Sequence, residues 1–348
     1  MSYTARSALV LQGGGALGAY ELGAARALYE GDEFAPDLIA GVSIGAITAA
    51  LLARPRKGLK PLEALEELWR AIGVDAPFLP PPLHQYASLL GNPNFFTPRL
   101  DYPLAATWTY IYETEPLRRT LTQLLDLDAL GDRKAAPGLL VTATDVEKGQ
   151  IAHFYSGEHG LTLDHIVASG SLPPSFPMTP IDGEHYWDGG LFDNTPLGAV
   201  LDRLDDARGV DRTIYVVNLF PNEAPIPRNL LEVNERVRNL QFANKTLEDL
   251  KMLHRLNEVA DLMEALESLP EGNPLKGHPA YQAVAKRKYI RVPTIVSITR
   301  PELVGGFDAS DFSPRTIKAR ADEGYAQTKK QIADAGRKRG PARRVVRH

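Results

Sequence analysis

Residues 39–46 read IAGVSIGA, an apolar run that passes through Gly41-Val42-Ser43-Ile44-Gly45 into a helix-forming stretch. This is the G-x-S-x-G pattern of a nucleophile elbow, in which a serine occupies a tight turn between a strand and a helix. Gly41 and Gly45 suit such a turn, because a Cβ would obstruct its strained backbone and the close approach of helix to strand. The pattern predicts that Ser43 is a nucleophile, although ordinary tight turns also contain it.

A glycine-rich loop precedes this turn. Residues 8–11 (ALVL) read as a short buried strand, and QGGGALGAY follows at 12–20. Amide N–H groups of successive glycines can point outward together, and the positive end of the next helix favours negative oxygen. The loop lacks the Gly-Lys-Ser/Thr ending of a P-loop and the spacing of a dinucleotide-binding fingerprint. It therefore predicts an oxyanion hole rather than a phosphate site, formed by Gly13, Gly14, Gly15 and Ala16.

A third motif lies far downstream, where residues 183–187 (GEHYW) read as an extended segment that ends in Asp188-Gly189-Gly190. Gly189 and Gly190 leave little steric bulk around the aspartate, so another side chain can approach its carboxylate closely. A single D-G-G is as typical of a plain turn. The glycine loop, the serine turn and D-G-G in this order are much harder to obtain by accident.

With these three motifs the chain resembles the patatin-like phospholipase family, over roughly Ala8 to Leu219. The matching segments are GGGALGAYELGAARAL, IAGVSIGAITAAL, VASGSLPPSFP and YWDGGLFDNTP. The resemblance implies that Ser43 is the nucleophile, Asp188 its general base and the glycine-loop amides the oxyanion hole. A Ser-Asp dyad needs no catalytic histidine. Many members carry a basic residue at the position of Leu17, so the headgroup preference stays open.

A Ser-Asp-His triad is the mechanistic alternative, since α/β-hydrolases place the histidine after the acid in chain order. His254, His278 and His348 fall in a charged helical stretch, a Gly-His-Pro loop and a basic tail. His153 and His185 lie in strand-like segments, where a lone histidine is usually half-exposed packing. We expect a structural or solvated role for each of the five.

These residues predict two-step ester hydrolysis, in which Asp188 takes the proton of Ser43 and an acyl-enzyme forms. The predicted activity is that of a serine acyl-hydrolase (EC 3.1.1, phospholipase A or lysophospholipase-like) acting on lipid or other carboxylic esters. Acyl transfer through the same acyl-enzyme is one alternative. A noncatalytic lipid-binding module is another, and the presence of both side chains speaks against it.

Composition excludes several classes of protein. The chain has 348 residues, 44% of them hydrophobic, with a formal charge of −4 and a pI near 6.1. This charge gives no reason to expect a nucleic-acid partner. The absence of cysteine excludes disulfides and thiol ligands, and no spacing indicates a metal or another cofactor. Without a secretory signal or a long apolar run, we expect a cytoplasmic protein, with peripheral contact at the inner membrane face and oligomerisation left open.

Alternating strand-like and helix-like segments predict the fold class. The pattern indicates a three-layer α/β/α hydrolase with a mainly parallel central sheet and catalytic groups at the carboxyl ends of its strands. We predict a core at 1–222, a C-terminal helical extension at 223–335 that completes the fold, and a basic disordered tail at 336–348.

Within this core, residues 77–112 form an insertion rich in aromatic residues and proline. We predict either a lid or acyl-chain wall over Ser43, or rings that cover a face of the sheet. The aromatic residues are Phe78, Tyr86, Phe95, Phe96, Tyr102, Trp108, Tyr110 and Tyr112.

The C-terminal third begins with a long amphipathic pattern from Leu230 to Leu266, which we expect to pack on the core rather than to form an oligomer or membrane contact. A strand-like segment at 289–298 and a terminal helix at 314–335 follow. The arginine-rich tail could attract anionic lipid.

Overall fold

The computed structural model describes residues 5–31, 34–77, 79, 83, 87–88, 90–205, 210–285, 292, 294–302, 305 and 308–339. For residues 231, 244–247, 250 and 336–339 only the backbone is described. Phe78 and Tyr86 of the predicted insertion, residues 289–291 and 293 of the last predicted strand, and the tail from residue 340 lie outside these ranges.

Strands and helices alternate through the first half of the chain, as the sequence predicts. The strands are β1 (Ser7–Leu11), β2 (Leu38–Gly41), β3 (Thr97–Pro98), β4 (Tyr112–Glu113), β5 (Gly138–Asp145), β6 (Gln150–Tyr155), β7 (Thr179–Ile181), β8 (Glu184–Asp188), β9 (Thr213–Asn218) and β10 (Thr294–Thr299). The α-helices are α1 (Ala19–Tyr29), α2 (Ile44–Ala53), α3 (Pro61–Ala71), α4 (Glu115–Leu124), α5 (Leu127–Gly131), α6 (Leu163–Ser169), α7 (Leu197–Leu201), α8 (Leu230–Glu267), α9 (Pro274–Gly277), α10 (Pro279–Ala285) and α11 (Pro314–Arg339).

Eight of the described strands form one sheet in the order β10-β9-β1-β2-β5-β8-β7, with β6 also paired to β5. The pairs from β10 to β5 are parallel, whereas β6, β7 and β8 pair antiparallel. Alternate strand residues enter two different hydrophobic cores. Leu9 and Ile39 pack with α1, α2 and α11 on one face, and Ala8 and Val10 pack with α7 on the other. The fold is therefore a three-layer α/β/α sandwich with a mostly parallel sheet.

β5 brings two distant segments together because it is longer than its neighbours. Its first half pairs with β2, up to Val141 opposite Gly41. Its second half pairs with β8, where Ala143 is opposite Asp188. β6 occupies the other edge of β5 along both halves, so β2 and β8 share one edge and meet end to end. The carboxyl ends of these two oppositely directed strands therefore face each other.

The C-terminal third contributes to the same layers. β10 extends the sheet in parallel register with β9, and α11 packs against α1. The two helices approach at backbone distance, since a Cβ on Gly23 would overlap the Ala321 carbonyl oxygen and one on Gly324 would overlap the Tyr20 carbonyl oxygen. The last helix begins at the predicted Pro314 and continues four residues beyond the predicted end.

The long helix α8 forms where it is predicted, but its predicted apolar stripe is not the face that packs. Leu253 is buried, together with Asn239, Ala243, Ala260 and Met263. Most of the predicted stripe is exposed, including Leu230, Val233, Val237, Leu240, Leu256, Val259 and Leu262. The expectation that this stripe packs on the core is therefore wrong for most of its residues, because the buried side chains other than Leu253 lie on another face of the helix. In the described part of the chain, no helix is both long and apolar enough to cross a membrane.

Candidate active site

Ser43 occupies the turn between β2 and α2 in a strained backbone conformation. Its φ of 56° and ψ of −126° lie in a region that residues with a Cβ rarely adopt, at a cost of about 1–3 kcal/mol. The N–H of Ser43 donates to the carbonyl oxygen and to Oγ of Ser169, at 3.1 and 3.0 Å. These bonds hold the turn in place, and the Ser43 side chain makes no capping hydrogen bond to the helix.

The two elbow glycines are required by close packing. A Cβ on Gly41 would overlap the Gly45 carbonyl, and a Cβ on Gly45 would lie 2.5 Å from the Leu11 carbonyl oxygen. Helix α2 therefore approaches the ends of β1 and β2 at a distance that any side chain would prevent. The local geometry agrees with the sequence prediction for this turn.

The structure brings Ser43 and Asp188 into contact. The Ser43 side chain lies close enough to the Asp188 carboxyl to lower its pKa. Asp188 Oδ1 also accepts the Gly190 N–H at 2.7 Å. The backbone of Asp188 is fixed on both sides, since its N–H donates to the Ser171 carbonyl at 3.0 Å and its carbonyl accepts the Thr144 hydroxyl at 2.8 Å. The carboxylate has little freedom to leave the serine.

Burial places the pKa of Asp188 near neutrality. The side chain is 2% exposed, and desolvation raises its pKa from 3.8 to about 7. The hydrogen bonds from Ser43 and Gly190 act in the opposite direction, because they stabilise the ionised form. A carboxylate with this pKa can exchange a proton at neutral pH, as a general base must.

Both glycines after the aspartate are close-packed. A Cβ on Gly189 would lie 2.6 Å from the Thr142 carbonyl oxygen. A Cβ on Gly190 would lie 2.9 Å from Asn194 Oδ1 and 3.1 Å from Asp188 Oδ1. Any larger residue would push this turn away from β5 and move the carboxylate.

The predicted oxyanion loop lies beside Ser43, because a Cβ on Gly13 would be 3.0 Å from the Ser43 Cβ. The Gly13 N–H donates to the Asn194 carbonyl at 3.4 Å. Within the described chain, the N–H groups of Gly14, Gly15 and Ala16 have no hydrogen-bond acceptor. Of these three residues, Gly14 and Gly15 are half-buried and Ala16 is fully buried.

Asn194 ties this loop to the D-G-G turn, a contact that sequence reasoning missed. Its Nδ2 donates to the Gly13 carbonyl at 3.1 Å, which returns the bond from the Gly13 N–H. The side chain is 5% exposed, and its Oδ1 lies against Gly190. The sequence offers one indication of a role for Asn194, its position in the DNTP run. Nothing in that run indicates that Gly13 is its hydrogen-bond partner.

Gln12 is a second missed residue. It is fully buried, and its amide joins the DNTP run, the end of β9 and α8. Nε2 donates to Thr195 Oγ1 at 3.0 Å and to the Phe242 carbonyl at 3.1 Å, and Oε1 accepts the Leu219 N–H at 2.6 Å. The strand that leads into the glycine loop is therefore held from three sides.

No histidine among the described residues hydrogen-bonds to Asp188, whose side-chain partners are Ser43 and Gly190. His254 is exposed on α8 and lies 3.5 Å from Glu258. His278 Nδ1 accepts the Ala280 N–H, and His185 Nδ1 pairs with Glu147 at 2.6 Å. His153 lies on β6, and His348 falls outside the described residues.

Among the residues that the structure describes, one acidic cluster has oxygens close enough together for a metal ion. Asp145, Glu147 and Glu184 place one oxygen each within 4.8 Å of one another. Lys148 already provides the cation, with Nζ 3.0 Å from Asp145 and 3.1 Å from Glu184. We therefore assign no metal to this cluster.

Comparison with known proteins identifies the family of the chain. The family model described as patatin-like phospholipase matches residues 9–201, more than half of the chain. The chain belongs to the patatin-like phospholipase family. Members of the patatin-like family are lipid acyl hydrolases. The match contains the glycine loop, Ser43, Asp188 and Asn194.

Comparison with solved structures finds distant similarities. VipD from Legionella pneumophila is 16% identical, with 96% of this chain and 67% of VipD covered and a TM-score of 0.38. ExoU in the heterodimeric ExoU–SpcU complex from the type III secretion system of Pseudomonas aeruginosa is also 16% identical, with a TM-score of 0.39. That match covers 96% of this chain and 52% of the ExoU chain, so the chain spans about half of that protein's length. No curated protein matches the chain.

Proposed function

We propose that this patatin-like chain is a serine acyl-hydrolase that cleaves carboxylic esters of lipids through Ser43 and Asp188. The observation that carries the proposal is the position of the Ser43 side chain beside the buried carboxyl of Asp188, next to a loop with unengaged amides. A serine hydroxyl is a weak nucleophile until an adjacent base removes its proton. Asp188 is the base in contact with it.

The acylation step follows from this geometry. Asp188 takes the proton as Ser43 Oγ attacks the ester carbonyl carbon, and the carbonyl oxygen becomes an oxyanion. The N–H groups of Gly14, Gly15 and Ala16 stabilise that charge, each by about 2.7–4 kcal/mol in comparable oxyanion holes. Collapse of the intermediate breaks the ester bond, and the leaving alcohol takes the proton from Asp188.

Deacylation repeats the same chemistry with water. Asp188 removes a proton from a water molecule, whose oxygen attacks the acyl-enzyme carbonyl carbon. The second oxyanion occupies the same loop, and its collapse releases the carboxylic acid while the proton returns to Ser43 Oγ. One base therefore serves both half-reactions, as a dyad requires.

A fluorophosphonate probe tests this assignment, because it phosphonylates an activated serine. We expect intact-mass spectrometry to show one adduct per wild-type chain and none in Ser43→Ala. Ser268→Ala is the matched control, since this serine is exposed after α8, and it should be labelled like the wild type. Equal labelling of the wild type and Ser43→Ala would refute the proposal.

A further inference from the structure

The segment that connects β3 and β4 exposes large apolar side chains in a way that the proposed chemistry does not explain. Leu100, Tyr102 and Leu104 are 77%, 63% and 57% exposed. We call these three residues the apolar tip. The 3₁₀ helix that carries two of them, Tyr102–Thr107, has no buried residue. Exposed apolar groups on one short segment commonly mark a contact with a lipid or a partner.

The segment that carries the apolar tip, residues 97–113, contains one cation, Arg99, and two acids, Asp101 and Glu113. Residues 102–112 contain no acidic or basic residue. Arg99, which precedes them, donates from Nε to Asp101 Oδ1 at 3.0 Å. Its guanidinium carbon also lies 4.7 Å from the centre of the Trp108 ring and 4.5 Å from that of Tyr110. The one cation here is therefore paired and covered by aromatic rings.

This chemistry fits an uncharged lipid surface better than an anionic one. Tyrosine and tryptophan favour the boundary between lipid headgroups and acyl chains, and leucine favours the acyl chains. Attraction to anionic lipid needs several free basic residues, which this segment lacks.

The segment is anchored to the loop that holds the candidate catalytic residues. The Tyr112 N–H donates to the Ser175 carbonyl at 2.8 Å, and the Tyr112 ring lies 6.3 Å from that of Phe176. Ser175 and Phe176 follow Ser169 and Ser171 closely in the chain. The Ser169 carbonyl accepts the Ser43 N–H, and the Ser171 carbonyl accepts the Asp188 N–H. A few residues therefore connect the base of the apolar tip to the reaction centre.

We propose that the apolar tip docks the protein on a zwitterionic lipid surface, so that the ester of a membrane lipid reaches Ser43. This role rests on the proposed acyl-hydrolase function for its purpose, but lipid binding can be measured without catalysis.

The test compares Tyr102→Ser/Leu104→Ser with a matched control, Ile226→Ser/Leu230→Ser, whose side chains are 87% and 81% exposed at the start of α8. Co-sedimentation with phosphatidylcholine vesicles should fall at least tenfold in the first variant. The reason is that serine gains much less free energy than tyrosine or leucine when it is buried in lipid. The control should bind like the wild type. Binding by the wild type should be the same in 0.05 and 0.5 M NaCl.

Enzyme assays separate docking from catalysis. Hydrolysis of phosphatidylcholine vesicles should fall at least tenfold in Tyr102→Ser/Leu104→Ser, whereas hydrolysis of p-nitrophenyl butyrate in solution should stay within about twofold of the wild type. Ser43→Ala should lose both activities and still bind vesicles. If the wild type binds vesicles but hydrolyses neither ester, the proposed function fails and docking stands.

Three outcomes would overturn docking: wild-type vesicle binding by Tyr102→Ser/Leu104→Ser, an equal loss in the control, or release of the wild type by salt. A changed oligomeric state with unchanged vesicle binding would instead identify a protein interface. If the double variant does not fold by circular dichroism, Leu100→Ser replaces it, with the same expected result.

Discussion

Ser43 and Asp188 both occupy positions that oppose stability. Ser43 has a positive φ, and Asp188 is buried although its carboxylate prefers water. The surrounding hydrogen bonds from Gly190 and Thr144, and to Ser169 and Ser171, offset part of these costs. Strain and desolvation of this kind are concentrated at sites where the reaction needs them.

The raised pKa of Asp188 predicts how activity depends on pH. In the proposed mechanism Asp188 must be ionised to act as the base, so we expect the rate to rise as pH increases through a pKa of about 7. We expect kcat/KM for p-nitrophenyl butyrate to increase from pH 5 and to level off above about pH 8. A soluble ester is used because it avoids changes in vesicle structure. A rate that is constant or decreasing over this range would contradict the assignment of the base.

A separate prediction concerns Asn194, which we infer to position the glycine loop. Asn194→Ala removes the Nδ2 bond to the Gly13 carbonyl, so the oxyanion loop is held less firmly beside Ser43. We expect kcat to fall about tenfold and KM to stay within about twofold, because the loop acts on the oxyanion rather than on the bound ester.

The control for Asn194→Ala is Asn273→Ala, since Asn273 caps α9 away from the candidate site. Fluorophosphonate labelling should slow in Asn194→Ala and remain at the wild-type rate in Asn273→Ala. A variant that loses thermal stability but labels at the wild-type rate would show a purely structural role.

At the scale of secondary structure, the sheet explains why two motifs 145 positions apart in sequence meet. β2 and β8 run in opposite directions along one edge of β5, so their carboxyl ends face each other. In an all-parallel sheet, β8 would end at the same edge as β2 but beside it. The antiparallel strand instead places Asp188 opposite the turn that carries Ser43.

The close contact between α1 and α11 leads to a prediction about the free energy of unfolding. Gly23→Ala places a methyl group where the Ala321 carbonyl oxygen lies, and neither backbone can move without disturbing its helix. We expect the free energy of unfolding to decrease by about 3 kcal/mol, measured by urea denaturation. Gly198→Ala is the control, because Gly198 lies in α7 with open space around it, and it should be neutral or stabilising by up to about 1 kcal/mol. Equal midpoints for the two variants would contradict this packing account.

Local features were predictable from sequence, and contacts between distant segments were not. The turn at Ser43 follows from Gly41 and Gly45, whose neighbours lie within a few residues or at the adjacent strand end. The bond from Asn194 to Gly13 spans 181 positions, and no local pattern indicates it. The exposed stripe of α8 was misjudged because periodicity shows that a helix has an apolar face but not which face a neighbour covers.

At the scale of the whole molecule, the C-terminal third completes the layers around the site. β10 covers the edge of β9, and α11 covers α1 directly behind the glycine loop. The backbone of Ala309 also contacts that loop, since a Cβ on Gly15 would lie 2.5 Å from the Ala309 carbonyl oxygen. The candidate oxyanion loop is thus contacted by the C-terminal third as well as by Asn194.

This arrangement predicts that residues 1–222 do not fold alone. In a fragment that ends at residue 222, the edge of β9 and the apolar face of α1 are exposed to water. We expect the fragment to be unfolded or aggregated by circular dichroism and gel filtration, while the full chain unfolds in one cooperative transition. A soluble, folded fragment that reacts with the fluorophosphonate probe would contradict this view of the C-terminal third.

The central claim is that Ser43 and Asp188 act as one catalytic unit, and a double-mutant cycle of kcat/KM for p-nitrophenyl butyrate tests it most directly. We expect a loss of about 10²–10⁴-fold in Asp188→Asn, a loss of at least about 10³-fold in Ser43→Ala, and no further loss in the double variant relative to Ser43→Ala. Near-wild-type activity in Asp188→Asn, or losses that multiply in the double variant, would contradict the account.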